Sequence, residues 1–239
     1  MVKAKKEIKK VAQKVEIDLK ELLEAGCHFG HQAQRWNPRM RPYIFDVRGG
    51  VHIFDLAKTK LGLEEATAFA KTTAANGGKI IFLGTKRQSQ EIIREAAKKA
   101  GMPYIAERWM GGLLTNWEQV KKSIDRLIKM KEDRTAGAFK KYTKKEQLLM
   151  DREIARLEKF FGGLVDLKEL PAALFIVDVK KEGSAVREAQ RMNVPIIGLV
   201  DSNCDPTPID WVIPANDDAV GSIQFVVDKM AEAVMGAKK

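Results

Sequence analysis

A continuous apolar run, Ile80 to Leu83, closed by Gly84 and followed by apolar residues at Ile92, Ile93, Ala96 and Ala97, constrains this chain more than any other stretch. Four apolar residues without polar alternation describe a strand covered on both faces, and the helical spacing after it describes a helix packed back onto the sheet. The stretch predicts the opening of a parallel α/β unit. In such sheets ligands meet the carboxyl ends of the strands. Here that end carries Gly84, Thr85, Lys86 and Arg87 against a helix N-terminus, whose free N–H groups favour an anion. A phosphate is expected there, but the turn lacks the GxxxxGK[ST] and GxGxxG spacings that wrap nucleotides.

Four more short apolar runs follow, Pro103 to Ala106, Ala172 to Val177, Pro195 to Val200 and Trp211 to Ile213, with helical patterns over Glu182 to Met192 and Asp218 to Val234. Five strands, each followed by a helix and joined by right-handed crossovers, give a doubly wound, three-layer α/β fold on a parallel sheet. Between the second and third strands the period changes. Trp117, Val120, Ile124 and Leu127 step by 3, 4 and 3, Met150, Ile154, Leu157 and Phe161 by 4, 3 and 4, and a lysine-rich stretch separates them. That spacing predicts an antiparallel coiled-coil helical hairpin, its narrow seam and charged flanks suiting a projection. The expected partition is a basic arm over residues 1–17, an α/β body over 18–116 and 164–239, and the hairpin over 117–163.

Charge narrows the partner. The formal net charge is +10, and residues 1–150 hold 31 basic and 17 acidic side chains against 11 and 15 in the rest. So uneven a split favours one basic face for a polyanion over a generally solvated surface. Two cysteines, Cys27 and Cys204, make no disulfide framework and fit a reducing compartment. No run approaches the ~18 apolar residues of a membrane span, and the N-terminus has no signal-peptide pattern, so the chain is expected to be neither secreted nor membrane-bound. Seven lysines in residues 1–20 predict an arm that orders on a polyanion, an N-terminal helix being the alternative.

The loops supply the candidate residues. Asp18 is placed to cap a short helix, Leu19 to Glu24, and Asp55 a long one reaching about Asn76. Arg35, Arg39 and Arg41 interleave with Trp36, Asn37, Pro38 and Pro42, and the prolines predict an extended surface segment. Guanidinium groups beside an aromatic ring and an amide suit RNA phosphates and exposed bases; a surface loop whose Trp36 simply packs is the other reading. Tyr43 to Val47 and Val51 to Phe54 flank Gly49-Gly50 as a hairpin. Residues 107–117 form a second loop at the strand ends, with Arg108, Trp109, Gly111-Gly112 and Asn116; Trp109 either stacks on a base or anchors the loop. Late strands end in Asp178, Asp201, Asp205, Asp217 and Asp218, to which His28, His31 and Cys27 are possible helpers for a divalent cation. HxxH alone lacks the paired spacing of a zinc site, so these aspartates are read as turn and cap residues and no metal is expected. No GxSxG elbow and no nucleophile beside a base is present.

In order along the chain, GCHFGHQAQRWNPRMRPYIF, IIFLGTKRQ, RWMGGLLTNW, LPAALFIVDVKKE and PIIGLVDSNCDPTPIDWVIPANDDA strongly resemble the bacterial-type small-subunit ribosomal protein family called S-two. The resemblance covers about Leu19 to Val234. It implies a flavodoxin-like domain with a protruding coiled-coil hairpin, no enzymatic activity and no cofactor or small-molecule substrate. It also implies a place at the head–body junction of the 30S subunit in the bacterial cytoplasm. The partners it implies are 16S rRNA, neighbouring small-subunit proteins and the large mRNA-binding protein S-one. Position by position, the RNA-facing residues it implies are Arg35, Trp36, Asn37, Arg39, Arg41, Thr85, Lys86, Arg87, Arg108 and Asn116. The departures are a longer lysine-rich N-terminal arm and the lack of an acidic C-terminal tail. Two readings compete: a phospho-metabolite enzyme using Gly84 to Arg87 with Mg²⁺ on Asp178 or Asp201, and a protein-interaction module acting through the hairpin.

Overall fold

The computed structural model describes residues 17–237, so the expected N-terminal arm lies outside the described residues except for Ile17. Helix α1 (Leu19–Glu24) begins where expected, the Asp18 carboxylate accepting from the Lys20 N–H. Three antiparallel strands follow, β1 (Phe29–Gln32), β2 (Ile44–Arg48) and β3 (Val51–Phe54), in the order β1-β3-β2. Gly49 and Gly50 both have positive φ, which lets the two-residue turn follow the strand twist. The partnership of β1 was not legible, because FGHQ carries no alternation of its own.

The extended path expected between Trp36 and Pro42 is corrected: tight 3₁₀ turns span Ala33–Arg35 and Pro38–Tyr43. Pro38 stands at the start of the second, where a missing N–H costs nothing, and the Asn37 side chain caps it by accepting from the Arg39 N–H at 3.0 Å.

The body then alternates: α2 (Leu56–Ala75), capped by Asp55, β4 (Ile80–Leu83), α3 (Gln90–Ala100) and β5 (Tyr104–Ile105). After these come α4 (Trp117–Thr135), α5 (Lys144–Phe161), β6 (Ala173–Val177), α6 (Gly183–Arg191), β7 (Ile196–Val200), β8 (Trp211–Pro214) and α7 (Val220–Met235). Strands β4 to β8 form one all-parallel sheet in the order β5-β4-β6-β7-β8, the flavodoxin arrangement, with a switch point between β4 and β6. Both faces are covered, as the unbroken apolar run required. Ile80 and Phe82 face a layer built on α2, α3 and α7, while Ile81 and Leu83 face a layer built on α4, α5 and α6.

The expectation of a helix after every strand is corrected once. β5 leads through the loop 106–116 into α4 and α5, but β7 reaches β8 through the helix-free residues 201–210, where Pro206 and Pro208 break any helical run. The α4–α5 pair buries Val120, Ile124, Leu127, Ile154, Leu157 and Phe161 against the body, while Met130 and Met150 farther along are only half-buried. Arg126–Glu153, Lys131–Glu158 and Arg134–Asp151 pairs line the flanks; being exposed, they fix pairing more than they add stability. Among the described residues no helix is long and apolar enough to cross a membrane.

Candidate nucleic-acid interface

The carboxyl ends of the parallel strands form the rim on which the candidate residues gather. At the end of β4 a Cβ on Gly84 would come within 2.9 Å of both Ile93 and Ser89, so only glycine lets α3 fold back this closely. Thr85 is buried, its hydroxyl donating to the Glu182 carboxylate and its carbonyl accepting from the Lys181 ammonium at 3.0 Å. Arg87 is exposed. Of the Thr-Lys-Arg triplet, then, Thr85 builds the rim from within and Arg87 faces outward.

Lys86 between them turns inward. Its ammonium lies 2.6 Å from Asp217, 2.8 Å from Asp218 and 3.3 Å from Asp178, and it also donates to the Asp217 carbonyl at 3.1 Å. Asp178 reaches it from a left-handed backbone, φ 65°, a conformation aspartate tolerates but most residues avoid. Burial alone would lower the Lys86 pKa, but hydrogen bonds to Asp217 and Asp218 and the nearby carboxylate charges carry it well above the usual lysine range. Burial, with the charges of Asp201 and Asp178, pushes Asp217 up to about 7 despite that lysine. His31 stands on the other side, Nδ1 3.0 Å from Asp201 and Nε2 3.4 Å from Asp218, and the Asp201 hydrogen bond raises its pKa.

The raised Asp217 and His31 act in one direction. The folded chain holds these protons more tightly than the unfolded chain, so their contribution to stability is full below about pH 4, the ordinary aspartate range, and is lost as pH rises. Asp217 loses its share up to about pH 7, and His31 loses its share above the ordinary histidine value of about 6.5. The thermal midpoint is expected to be lower at pH 8 than at pH 6, and His31→Gln should flatten that difference in a melting series.

Two overlapping sets here have donor atoms close enough to hold a metal ion, His31 with Asp201 and Asp217, and Asp178 with Cys204 and Asp217. Burial pushes the Cys204 thiol up to about 12, and the Lys86 ammonium already supplies a cation to Asp217 and Asp178. His28 and Asp205 belong to neither set: His28 faces an apolar groove, and Asp205 pairs with Arg39.

The loop leaving β5 hangs on one carboxylate that sequence reading missed. Glu188 of α6 accepts from Trp109 Nε1 at 3.0 Å and from the N–H groups of Gly112 at 2.9 Å, Leu114 at 3.0 Å and Thr115 at 3.3 Å, with the Thr115 hydroxyl also at 3.3 Å. Burial would raise its pKa, but these donors outweigh that and hold it below the usual glutamate range. Trp109 is thereby an anchor, only 6% exposed, while Arg108 and Asn116 remain on the surface. The legible signal was a glutamate three residues after Ala185, on the flank of a helix face that buries Ala185, Val186 and Ala189. Glu188→Ala leaves several donors without an acceptor and is expected to cost about 2 kcal/mol. Faster amide exchange confined at first to residues 109–116 would identify this cause; unchanged exchange there would refute it.

The segment carrying Arg35 to Arg41 docks on the loop after β7. The Asn37 N–H donates to the Ser202 carbonyl at 2.7 Å, the His31 N–H to the Ser202 hydroxyl at 2.8 Å, and Arg39 pairs with Asp205. Trp36 is half-buried with its ring 5.0 Å from that of His52. Arg35 and Arg41 are exposed, and Arg35, Arg41, Arg87 and Arg108 have no carboxylate partner among the described residues. The predicted residues thus divide: Arg35, Arg39, Arg41, Arg87, Arg108 and Asn116 face solvent, Trp36, Asn37 and Lys86 are half-buried, and Thr85 is buried.

These features define a doubly wound α/β protein whose rim is filled by its own lysine and aspartates and presents guanidinium groups instead of a nucleotide cradle. The chain belongs to the ribosomal protein S2 family: the family model described as Ribosomal protein S2 matches residues 22–237, nearly the whole α/β body and the hairpin. It is a structural protein of the small ribosomal subunit.

Proposed function

We propose that the chain binds 16S rRNA at the head–body junction of a bacterial 30S subunit through the basic rim. Arg35, Arg41, Arg87, Arg108 and Asn116 make the outermost contacts, Arg39 joins them beside Asp205, and Trp36 and Asn37 shape the segment. Thr85 and Lys86 act from beneath by holding the rim. The acidic last third meets neighbouring proteins, and the assembled surface supports association of the mRNA-binding protein S-one. The coiled-coil hairpin over residues 117–163 serves as a separate lever on the body. No catalytic step enters this reading. The Lys86 ammonium sits where the enzyme reading would place Mg²⁺, on Asp178, which favours a binding role.

One observation carries the proposal. Asp178, Asp201, Asp217 and Asp218 are engaged inward by Lys86 and His31, whereas four arginines on loops at or docked against the strand ends have no acidic partner among the described residues. Such charges are available to phosphates. The test is sedimentation with small subunits across a salt series. Co-migration lost as salt rises is expected, and association indifferent to salt would overturn the reading.

A further inference from the structure

The end of α2 carries a covalent chemistry that the rim does not use. The side-chain amide carbon of an asparagine is open to attack by the backbone nitrogen of the next residue. The ring that forms expels ammonia, and water then opens it to aspartate or to isoaspartate, in which the main chain runs through the former side chain. The reaction needs a side-chain amide that is not engaged elsewhere and a following nitrogen that can lose its proton and is not crowded.

The chain has six asparagines, and their surroundings separate them. Asn37 precedes Pro38, which has no N–H to lose. The side-chain oxygens of Asn203 and Asn216 are already engaged, one by the Cys204 thiol at 3.0 Å, the other by the N–H groups of Asp218 and Ala219 at 2.8 and 3.1 Å. Asn116 and Asn193 are followed by the bulky Trp117 and the β-branched Val194. Asn76 differs on every count. It is exposed, its side chain makes no hydrogen bond among the described residues, and it is followed by Gly77, where even a Cβ would meet nothing within 4 Å.

The backbone sets the pace. Asn76 closes α2 with φ −81° and ψ 9°, and Gly77 follows in the left-handed region at φ 76°. The Gly77 N–H donates to the Ala74 carbonyl at 3.0 Å and the Gly78 N–H to the Thr73 carbonyl at 2.9 Å, the paired bonds of a Schellman turn. While the turn is closed the attacking nitrogen is occupied. It is, however, the exposed end of a helix, the kind of place where structure opens most readily, so the reaction proceeds from the open turn.

We propose that Asn76 is an ageing site of this chain, converting slowly to isoaspartate at the end of α2. The Gly77 nitrogen gives up its proton and bonds to Asn76 Cγ, the Cγ–Nδ2 bond breaks, and Nδ2 leaves with that proton as ammonia; one water then splits the ring, with no oxidation or reduction. The methylene this adds to the main chain meets a crowded neighbour. A Cβ on Gly78 would come within 2.8 Å of the Ala172 Cβ and 2.9 Å of Thr73, and Lys79 accepts from the Ala172 N–H at 2.8 Å where β4 begins. Isoaspartate therefore loosens the entry of β4, at the opposite end of that strand from the rim. The inference does not depend on the rim contacting RNA.

The test is to hold the full-length chain for weeks at pH 6 and at pH 8 and to cleave it after lysine, which releases residues 72–79 as one peptide. An acidic form is expected to accumulate several-fold faster at pH 8. The mass gain of an amide-to-acid change should fall in that peptide, which should separate into two isomers with isoaspartate in excess. Asn76→Gln should abolish the acidic form, since a six-membered ring closes far more slowly. Conversion in denaturant is expected to be several-fold faster than in the folded chain. The aged chain should also exchange amides over residues 79–83 several-fold faster than Asn76→Asp, which carries the new charge without the added methylene. A peptide 72–79 that stays unchanged at pH 8, whether or not another asparagine converts, would overturn the proposal. Equal rates in the folded chain and in denaturant would overturn the role given to the turn.

Discussion

Lys86→Ala is expected to destabilise the folded chain by about 3 kcal/mol, whereas Arg87→Ala beside it leaves stability unchanged within about 0.5 kcal/mol. The two residues are neighbours of like charge, so only their surroundings separate them. Removing Lys86 leaves Asp217, 1% exposed, and Asp178, 7% exposed, facing each other and Asp201 without the cation between them. A fully interior pair would cost about 3–5 kcal/mol to break; the Lys86 side chain is 18% exposed, which places the effect at the lower end. In a chain this long that corresponds to a fall in thermal midpoint of roughly 6–12 °C. Protonating Asp217 relieves the repulsion, so the loss should be smaller at pH 5 than at pH 8. Combining Lys86→Ala with Asp217→Asn should recover part of it, a coupling a double-mutant cycle measures. An undisturbed midpoint in Lys86→Ala would show that the ammonium does not hold the cluster together.

The contrast between Lys86 and Arg87 also marks how far the sequence could be read. Ile80 to Leu83 announced a doubly covered strand because four adjacent side chains must divide between two apolar layers, and they do. Asp55 and Gly49-Gly50 were legible for the same reason, their chemistry being local to a cap and a turn. The direction in which Lys86 points was not, because it is decided by Asp217, 131 residues later, and by Asp178. Glu188 stayed hidden for that reason too, since its four backbone and side-chain partners lie 73 to 79 residues away. Trp109 could be read as a stacking surface or an anchor until that carboxylate fixed its indole N–H. Pro38 and Pro42 predict an extended path by their own geometry, yet a 3₁₀ turn begins comfortably on a proline when Asn37 caps it. Propensity described the elements, while partners brought from distant strands decided which charges face out.

Replacing Arg35, Arg41, Arg87 and Arg108 together by glutamine is expected to weaken binding to small-subunit RNA by about 100-fold and to make its log–log salt dependence shallower by about 3. The second figure is the sharper one. Each neutralised phosphate on single-stranded RNA contributes about 0.7 to that slope, so four lost contacts should be countable, whereas a general loss of shape would lower affinity at every salt concentration alike. Because none of the four has a carboxylate partner among the described residues, the thermal midpoint should stay where it was, which separates this variant from Lys86→Ala. Arg39→Gln is the intermediate case, for Arg39 pairs with Asp205 with both side chains substantially exposed, and a surface pair of this kind adds little stability. Arginine-to-lysine replacement at the same four positions keeps the charge but not the planar fork, so the salt slope should be retained while affinity falls through lost bidentate contacts. A glutamine variant with an unaltered slope would mean that the phosphates are met elsewhere, and the lysine-rich turn between α4 and α5 would become the surface to test.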